Sequence, residues 1–222
     1  MNPAIFRVKL KALFAALTGA LALTAAAQDF DNEPFDFSEP LKQTTKYGIS
    51  PFYGYRFGGE IEDANGKSYD FEDSPAYGLI LDYAPIDYPG RIELLWTRQD
   101  SSIDFGSYAN LGKLDLTIDT LQLGGIAEFG TAGFREYVSA HVGATRTVAE
   151  GSDDEVKFSF SIGAGVKAYL SKNFYLRADL RGFCNVVNSE VAFIYANGAT
   201  VLFYSGDTIW QGQASVGVGL TF

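Results

Sequence analysis

The chain has 222 residues, of which 47% are hydrophobic and 15% aromatic, and it carries 27 acidic side chains against 17 basic ones for a net charge of −10. That acidic balance excludes the broad basic surface that a nucleic-acid or polyanion binder needs. A single cysteine, Cys184, excludes an intrachain disulfide and a cysteine-based metal site.

Residues 1–27 follow the plan of a secretory leader. Arg7, Lys9 and Lys11 precede an alanine-rich apolar run that ends on Ala25, Ala26 and Ala27, small residues suited to a cleavage site. Thr18, Gly19 and Thr24 interrupt the run, so it is weak as a membrane span. Cleavage after Ala27 removes three basic residues and no acid, which leaves a net charge of −13. Residues 28–46, QDFDNEPFDFSEPLKQTTK, are acidic and without periodicity and are expected to form a periplasmic lead-in.

From Tyr47 the period becomes two, which predicts strands. Tyr53, Tyr55 and Phe57 alternate with Gly54 and Arg56; Tyr77, Leu79, Leu81 and Tyr83 alternate with Gly78 and Asp82. Ile92, Leu94 and Trp96 lie opposite Arg91, Glu93 and Thr97. The fourth segment, KLDLTIDTLQLGGIAEF, changes phase near Thr120, and a bulge is expected there. Val138, Ala140, Val142 and Ala144 mark the fifth strand, and Phe158 to Leu170 on even positions mark the sixth. In the seventh, Leu176, Ala178 and Leu180 oppose Arg177, Asp179 and Arg181. The eighth is QASVGVGLTF, with Val218, Leu220 and Phe222 on one face and Ser215, Gly217, Gly219 and Thr221 on the other.

Between these strands, short turns (PIDYPG, FGTAGF, SKN) alternate with long loops, several of them acidic. Asn65-Gly66 and Asn197-Gly198 carry hairpin-turn chemistry. Alternation alone fits a soluble sandwich as well as a membrane barrel. The leader, the short-turn and long-loop asymmetry, the aromatic strand ends and Phe222 favour the barrel, because lipid forbids an open sheet edge and gathers aromatics at both interfaces. The expected fold is all-β: an eight-stranded antiparallel up-and-down transmembrane β-barrel over 47–222 in the bacterial outer membrane, with short turns in the periplasm. The segment VAFIYANGATVLFY (191–204) leaves open ten strands, but each arm is shorter than a span requires, so an extracellular hairpin is preferred.

The stretches SPAYGLILDYAPIDYPGRIELLWTRQDSSI, DTLQLGGIAEFG, NFYLRADLRGF and GDTIWQGQASVGVGLTF resemble the outer membrane protein beta-barrel family of proteobacteria, related in architecture to the small OmpA- and OmpX-type barrels. The resemblance covers nearly the whole of residues 28–222. It implies insertion by the outer-membrane assembly machinery, with Phe222, Leu220 and Val218 as the assembly signal. Members often carry cysteines around the last hairpin; AFIYANGATVLFY has none, so a loop-locking disulfide is absent. The family implies a location more than an activity.

The residues that carry charge on the inward face are Arg56, Asp82, Glu93, Lys167, Arg177, Asp179 and Arg181. Eight strands leave an interior just wide enough for side chains to fill, so these groups are expected to satisfy one another in a closed, polar lumen; the alternative is a narrow channel or small-solute binder that uses them. His141 and Ser139 share the lumen face, away from acyl chains, and complete no lipid-hydrolase triad, so no enzyme is expected. No cofactor, no metal site and no nucleic-acid partner are expected, since the acidic loops lack EF-hand spacing and the glycines form no phosphate loop. Expected partners are outer-membrane lipid and lipopolysaccharide. Phe193, Tyr195, Phe203 and Tyr204 form the candidate contact hairpin for an extracellular ligand or surface.

Overall fold

The computed structural model describes residues 47–63, 67–85, 90–104, 113–149, 154–186, 191–194, 200–204 and 208–222. The leader expected over 1–27 and the lead-in over 28–46 lie outside them. In chain order the strands are β1 (Tyr47–Phe57), β2 (Glu60–Asp63), β3 (Ser68–Asp70), β4 (Ser74–Tyr83), β5 (Gly90–Asp104), β6 (Lys113–Gly130), β7 (Phe134–Ala149), β8 (Glu155–Tyr169), β9 (Phe174–Val186), β10 (Val191–Ile194), β11 (Thr200–Tyr204) and β12 (Thr208–Thr221).

Eight of these close an antiparallel barrel in the order β1-β12-β9-β8-β7-β6-β5-β4. Closure leaves no unpaired edge among the eight, which is what hydrocarbon demands of a sheet. The seam is β1 against β12, from Gly48↔Thr221 to Phe57↔Gly212, and it is fastened at its end by the reciprocal bonds Tyr47 N to Phe222 O and Phe222 N to Tyr47 O, each 3.0 Å.

Alternation sorts the side chains as the period of two dictates. Leu81, Ile92, Leu94, Leu121, Leu123, Val138, Val142, Ile162, Leu180 and Leu220 face outward and are exposed. Aromatic rings flank them: Tyr47, Tyr83, Phe129, Phe134 and Phe222 toward the short turns, and Tyr77, Trp96, Phe158 and Trp210 toward the long loops. At about 3.3 Å per residue and a tilt near 40°, the run from Phe129 to Leu121 spans roughly 20 Å along the barrel axis, close to the apolar band of an outer-membrane barrel.

The expected bulge at Thr120 is absent. β6 pairs residue for residue with β5 from Gly90↔Ala127 to Asp104↔Lys113 and with β7 from Leu116↔Ala149 to Gly130↔Arg135. What changes is the environment of each face. Below Thr120, Leu121 and Leu123 face out while Gln122 and Glu128 face in; above it Leu114, Leu116 and Ile118 are buried inside while Lys113 and Asp115 are exposed. A strand leaving the bilayer exchanges lipid for water outside, so its polarity inverts while its geometry continues.

The buried apolar residues at the top of β6 pack with Ile61, Tyr69, Ile103 and Ala149, and with Phe71 and Ile209 against them. Ile61 and Tyr69 belong to the β2–β3 hairpin, which lies inside a segment where the sequence pattern predicts an acidic loop with hairpin-turn chemistry at Asn65-Gly66. Gly58 (φ 76°) and Gly59 (φ 101°) take the chain from β1 into β2 through a left-handed region that side chains disfavour. The hairpin thus lays an apolar cluster over the long-loop end of the barrel.

β10 and β11 do not enter the barrel. They pair from Val191↔Phe203 to Ile194↔Thr200 and join β2 through Phe203↔Asp63 and Tyr204↔Glu62, in a separate sheet of order β10-β11-β2-β3. The barrel therefore has eight strands, with the apolar hairpin extending beyond it.

The inward face of β12 shows why it is small. A Cβ at Gly219 would run into the ring of Tyr175, whose hydroxyl lies 2.6 Å from Ser50 Oγ across the seam. Glycine on this face makes room for the aromatic residues that fill the bottom of the lumen.

Candidate functional site

Among the described residues, the lumen is where the fold gathers charge away from water. Arg56, Asp82, Glu93, Lys167, Arg177, Asp179 and Arg181 all point inward and are buried. They do not form one cluster; they fall into three groups.

At the centre, Glu93 on β5 meets Arg177 on β9, with Oε1 accepting from Nη1 at 2.6 Å and Oε2 from Nη2 at 3.3 Å. In the barrel order these two strands are four places apart among eight, so this ion pair crosses the full width of the lumen. Arg177 Nη2 also donates to Asp179 Oδ2 at 3.2 Å, which accepts from Tyr137 Oη at 2.7 Å and from Arg181 Nη2 at 3.2 Å. Arg181 Nη1 donates to His141 Nδ1 at 2.7 Å, and His141 Nε2 lies 3.3 Å from Glu93 Oε2. With Nδ1 accepting, the proton of the neutral imidazole is on Nε2, which faces Glu93 without a hydrogen bond. Arg181 also reaches Ser161 at 3.3 Å, and Ser161 donates to Gln122 at 2.6 Å.

Toward the short turns, Lys167 Nζ donates to Glu128 Oε1 at 2.7 Å and Arg135 Nη1 to Glu128 Oε2 at 3.2 Å. Asp82 pairs with Arg91. Arg135 stacks on Tyr169, 4.2 Å from its ring centroid, and Tyr169 packs on Tyr175 with centroids 5.0 Å apart.

Toward the long loops, Arg56 stands apart from the other charges. Its Nε and Nη2 donate to Gln213 Oε1 at 3.0 and 2.8 Å, and Nη2 to Thr97 Oγ1 at 3.2 Å. Its guanidinium lies 4.1 Å from the ring centroid of Phe183, which packs with Phe52, Ile80 and Leu95. Gln99, Ser74 and Gln211 continue the neutral hydrogen bonding above it.

Arg91, Glu128 and Arg135 complete these groups although sequence reasoning did not single them out. Arg91 shares the parity of Glu93, and Arg135 that of His141, so both were open to detection. Glu128 lies opposite in parity to Leu121, Leu123 and Phe129 and was open to detection in the same way. Ser139 Oγ has no hydrogen-bond partner among the described residues, and Arg181 and Glu93 occupy the edges of His141, so these two residues do not form a nucleophile and base pair.

Outside the lumen, Val218, Leu220 and Phe222 lie on the outward face of β12, and the ring centroids of Phe222 and Tyr47 are 6.2 Å apart. Tyr195 of the contact hairpin lies outside the described residues; Phe193, Phe203 and Tyr204 enter the pairs Phe193↔Val201, Val191↔Phe203 and Tyr204↔Glu62. At the water-exposed rim Lys113 and Ser102 bond Glu72 at 2.8 and 2.5 Å and hold its carboxyl below the usual carboxylate range. No group of residues suited to hold a metal ion occurs among the described residues.

The family model of the OprF membrane domain matches residues 70–222. The chain belongs to that family. Solved structures show the same fold: the OprF-type barrel described above matches Neisserial surface protein A (NspA) with a TM-score of 0.55 at 14% identity, covering 79% of this chain and 97% of NspA. It matches OprG from Pseudomonas aeruginosa with a TM-score of 0.52 at 12% identity, covering 84% and 99%. The N-terminal barrel domain of Pseudomonas aeruginosa OprF gives 0.46 at 20% identity over 80% and 98%. Among the curated proteins none matches the sequence. Family membership, the closed barrel and its lipid-compatible outer band place this OprF-type protein in the bacterial outer membrane.

Proposed function

We propose that this OprF-type barrel is a structural and surface-interaction protein of the outer membrane, with a closed lumen and no catalytic activity. The observation that carries this reading is the Glu93–Arg177 ion pair, held at 2.6 Å between strands on opposite sides of the barrel. A pair across the full diameter, joined on either side by Asp179, Arg181, His141 and Tyr137, leaves the charged groups bonded to one another instead of lining a water path. The apolar cluster of Ile61, Tyr69, Ile103, Leu114 and Leu116 adds a second barrier nearer the long loops. Interaction then belongs to the outer surfaces. The lipid-facing band and rim contact outer-membrane lipid and lipopolysaccharide. The β10–β11 hairpin is offered to an extracellular ligand or surface, and the apolar outward face of β12 to the assembly machinery during insertion.

Proteoliposomes test this directly. Vesicles loaded with purified, refolded protein are expected to take up arabinose and glycine at the rate of protein-free vesicles. Uptake that rises in proportion to the protein content defeats the reading and returns the lumen to the role of a narrow channel.

A further inference from the structure

Charge in the lumen does not balance. Among the described residues, six buried cations (Arg56, Arg91, Arg135, Lys167, Arg177 and Arg181) face four buried acids (Asp82, Glu93, Glu128 and Asp179). The central group is neutral, two arginines against two carboxylates. The group at the short-turn end has one excess cation, but it opens toward the periplasmic mouth, where the Arg135 side chain keeps 8% of its surface. The other excess charge is Arg56, which is 1% exposed and has no counter-charge among the described residues.

No described carboxylate pairs with Arg56: its acceptors are the amide oxygen of Gln213 and the hydroxyl of Thr97. A buried lysine could shed its proton, whereas a guanidinium stays charged. A buried charge without compensation is strongly unfavourable. One donor of the guanidinium also lacks an acceptor: Arg56 Nη1, on the side away from Gln213, donates to no described group. A buried positive charge with a spare donor and no described acid calls for an anion.

We infer that the lumen holds one small monovalent anion of halide size against Arg56 Nη1, as a built-in counter-ion. The size limit follows from the barrel, whose eight strands leave an interior mostly filled by side chains. Phe183 covers one face of the guanidinium and packs with Phe52, Ile80 and Leu95, so that flank is apolar.

Crystals of the refolded full barrel grown in sodium bromide, with data collected at the bromine edge, provide the test. The expected result is one anomalous peak in contact with Arg56 Nη1, absent from Arg56→Met crystals grown alongside. In solution, replacing gluconate by chloride at constant ionic strength is expected to raise the unfolding midpoint of the wild type and to leave that of Arg56→Met unchanged. A wild-type map with an ordered Arg56 and no peak beside it overturns the proposal, and so does an equal chloride response in the variant. Should Arg56→Met fail to fold, the wild-type map decides alone.

Discussion

Replacing Glu93 with alanine lowers the stability of the folded barrel by about 3–5 kcal/mol, because removing one partner of a buried ion pair leaves the other as an uncompensated charge. The Glu93 side chain is 0% exposed and that of Arg177 2%. Glu93 is also the acid beside His141 Nε2, so its loss frees two groups at once. Unfolding by guanidinium in detergent micelles, followed through Trp96 and Trp210, measures the change. A second variant identifies the cause. Glu93→Ala combined with Arg177→Met removes both charges, and it is expected to recover a large part of the loss, since replacing a whole buried pair by apolar groups is often near neutral. A single-variant cost within about 1 kcal/mol, the range of an exposed ion pair, would show that water reaches the centre of the lumen and that the pair does not seal it.

Placing valine at Gly219 is the next largest effect expected. The added side chain enters the space of the Tyr175 ring, which is 0% exposed, pressed on Tyr169 and bonded to Ser50 across the seam. Overpacking of this kind costs typically about 1–3 kcal/mol and sometimes more, and here it falls on the two strands, β12 and β9, whose register runs from Thr208↔Val186 to Leu220↔Phe174. The double substitution is the control: Gly219→Val with Tyr175→Ser has room for the new side chain and is expected to unfold at a higher denaturant concentration than Gly219→Val alone. If the two unfold together, the glycine is required by the backbone and not by the ring.

These residues also show what could be read before the fold was known. The outward parity of Tyr53, Leu94, Leu180 and Leu220 and the strand count depend on nearest neighbours along the chain, and period carries that information. The inward parity of Arg56, Glu93, Lys167 and Arg177 follows in the same way. Their partners do not. Glu93 and Arg177 are 84 residues apart, and they meet only because closure puts β5 opposite β9. Lys167 meets Glu128 across an intervening strand for the same reason.

Polarity inversion accounts for the other differences. A pattern that treats the apolar face as outward works while lipid is outside, and it fails above Thr120, where Leu114, Leu116 and Ile118 are buried inside and the first two form the apolar cluster with Ile61 and Tyr69. The phase shift of KLDLTIDTLQLGGIAEF marks the height at which the strand leaves the bilayer. The short strands β2 and β3 escaped notice because their acidic composition resembles a loop, although Asn65-Gly66 pointed to the turn between them. Arg56 was legible as an inward charge, but its lack of an acid depends on neighbours from β5, β9 and β12 that only the closed barrel brings together.

The measurement that bears most directly on the closed lumen is single-channel recording of the purified, refolded wild-type protein in planar bilayers, with Arg177→Ala and Arg181→Ala recorded alongside. Steady silence of the wild type is the result expected from an ion pair that spans the barrel beneath an apolar cluster. Discrete, reproducible openings of the pure wild-type protein, altered in size by either arginine variant, would contradict it, because they would make the charged lumen a path for ions.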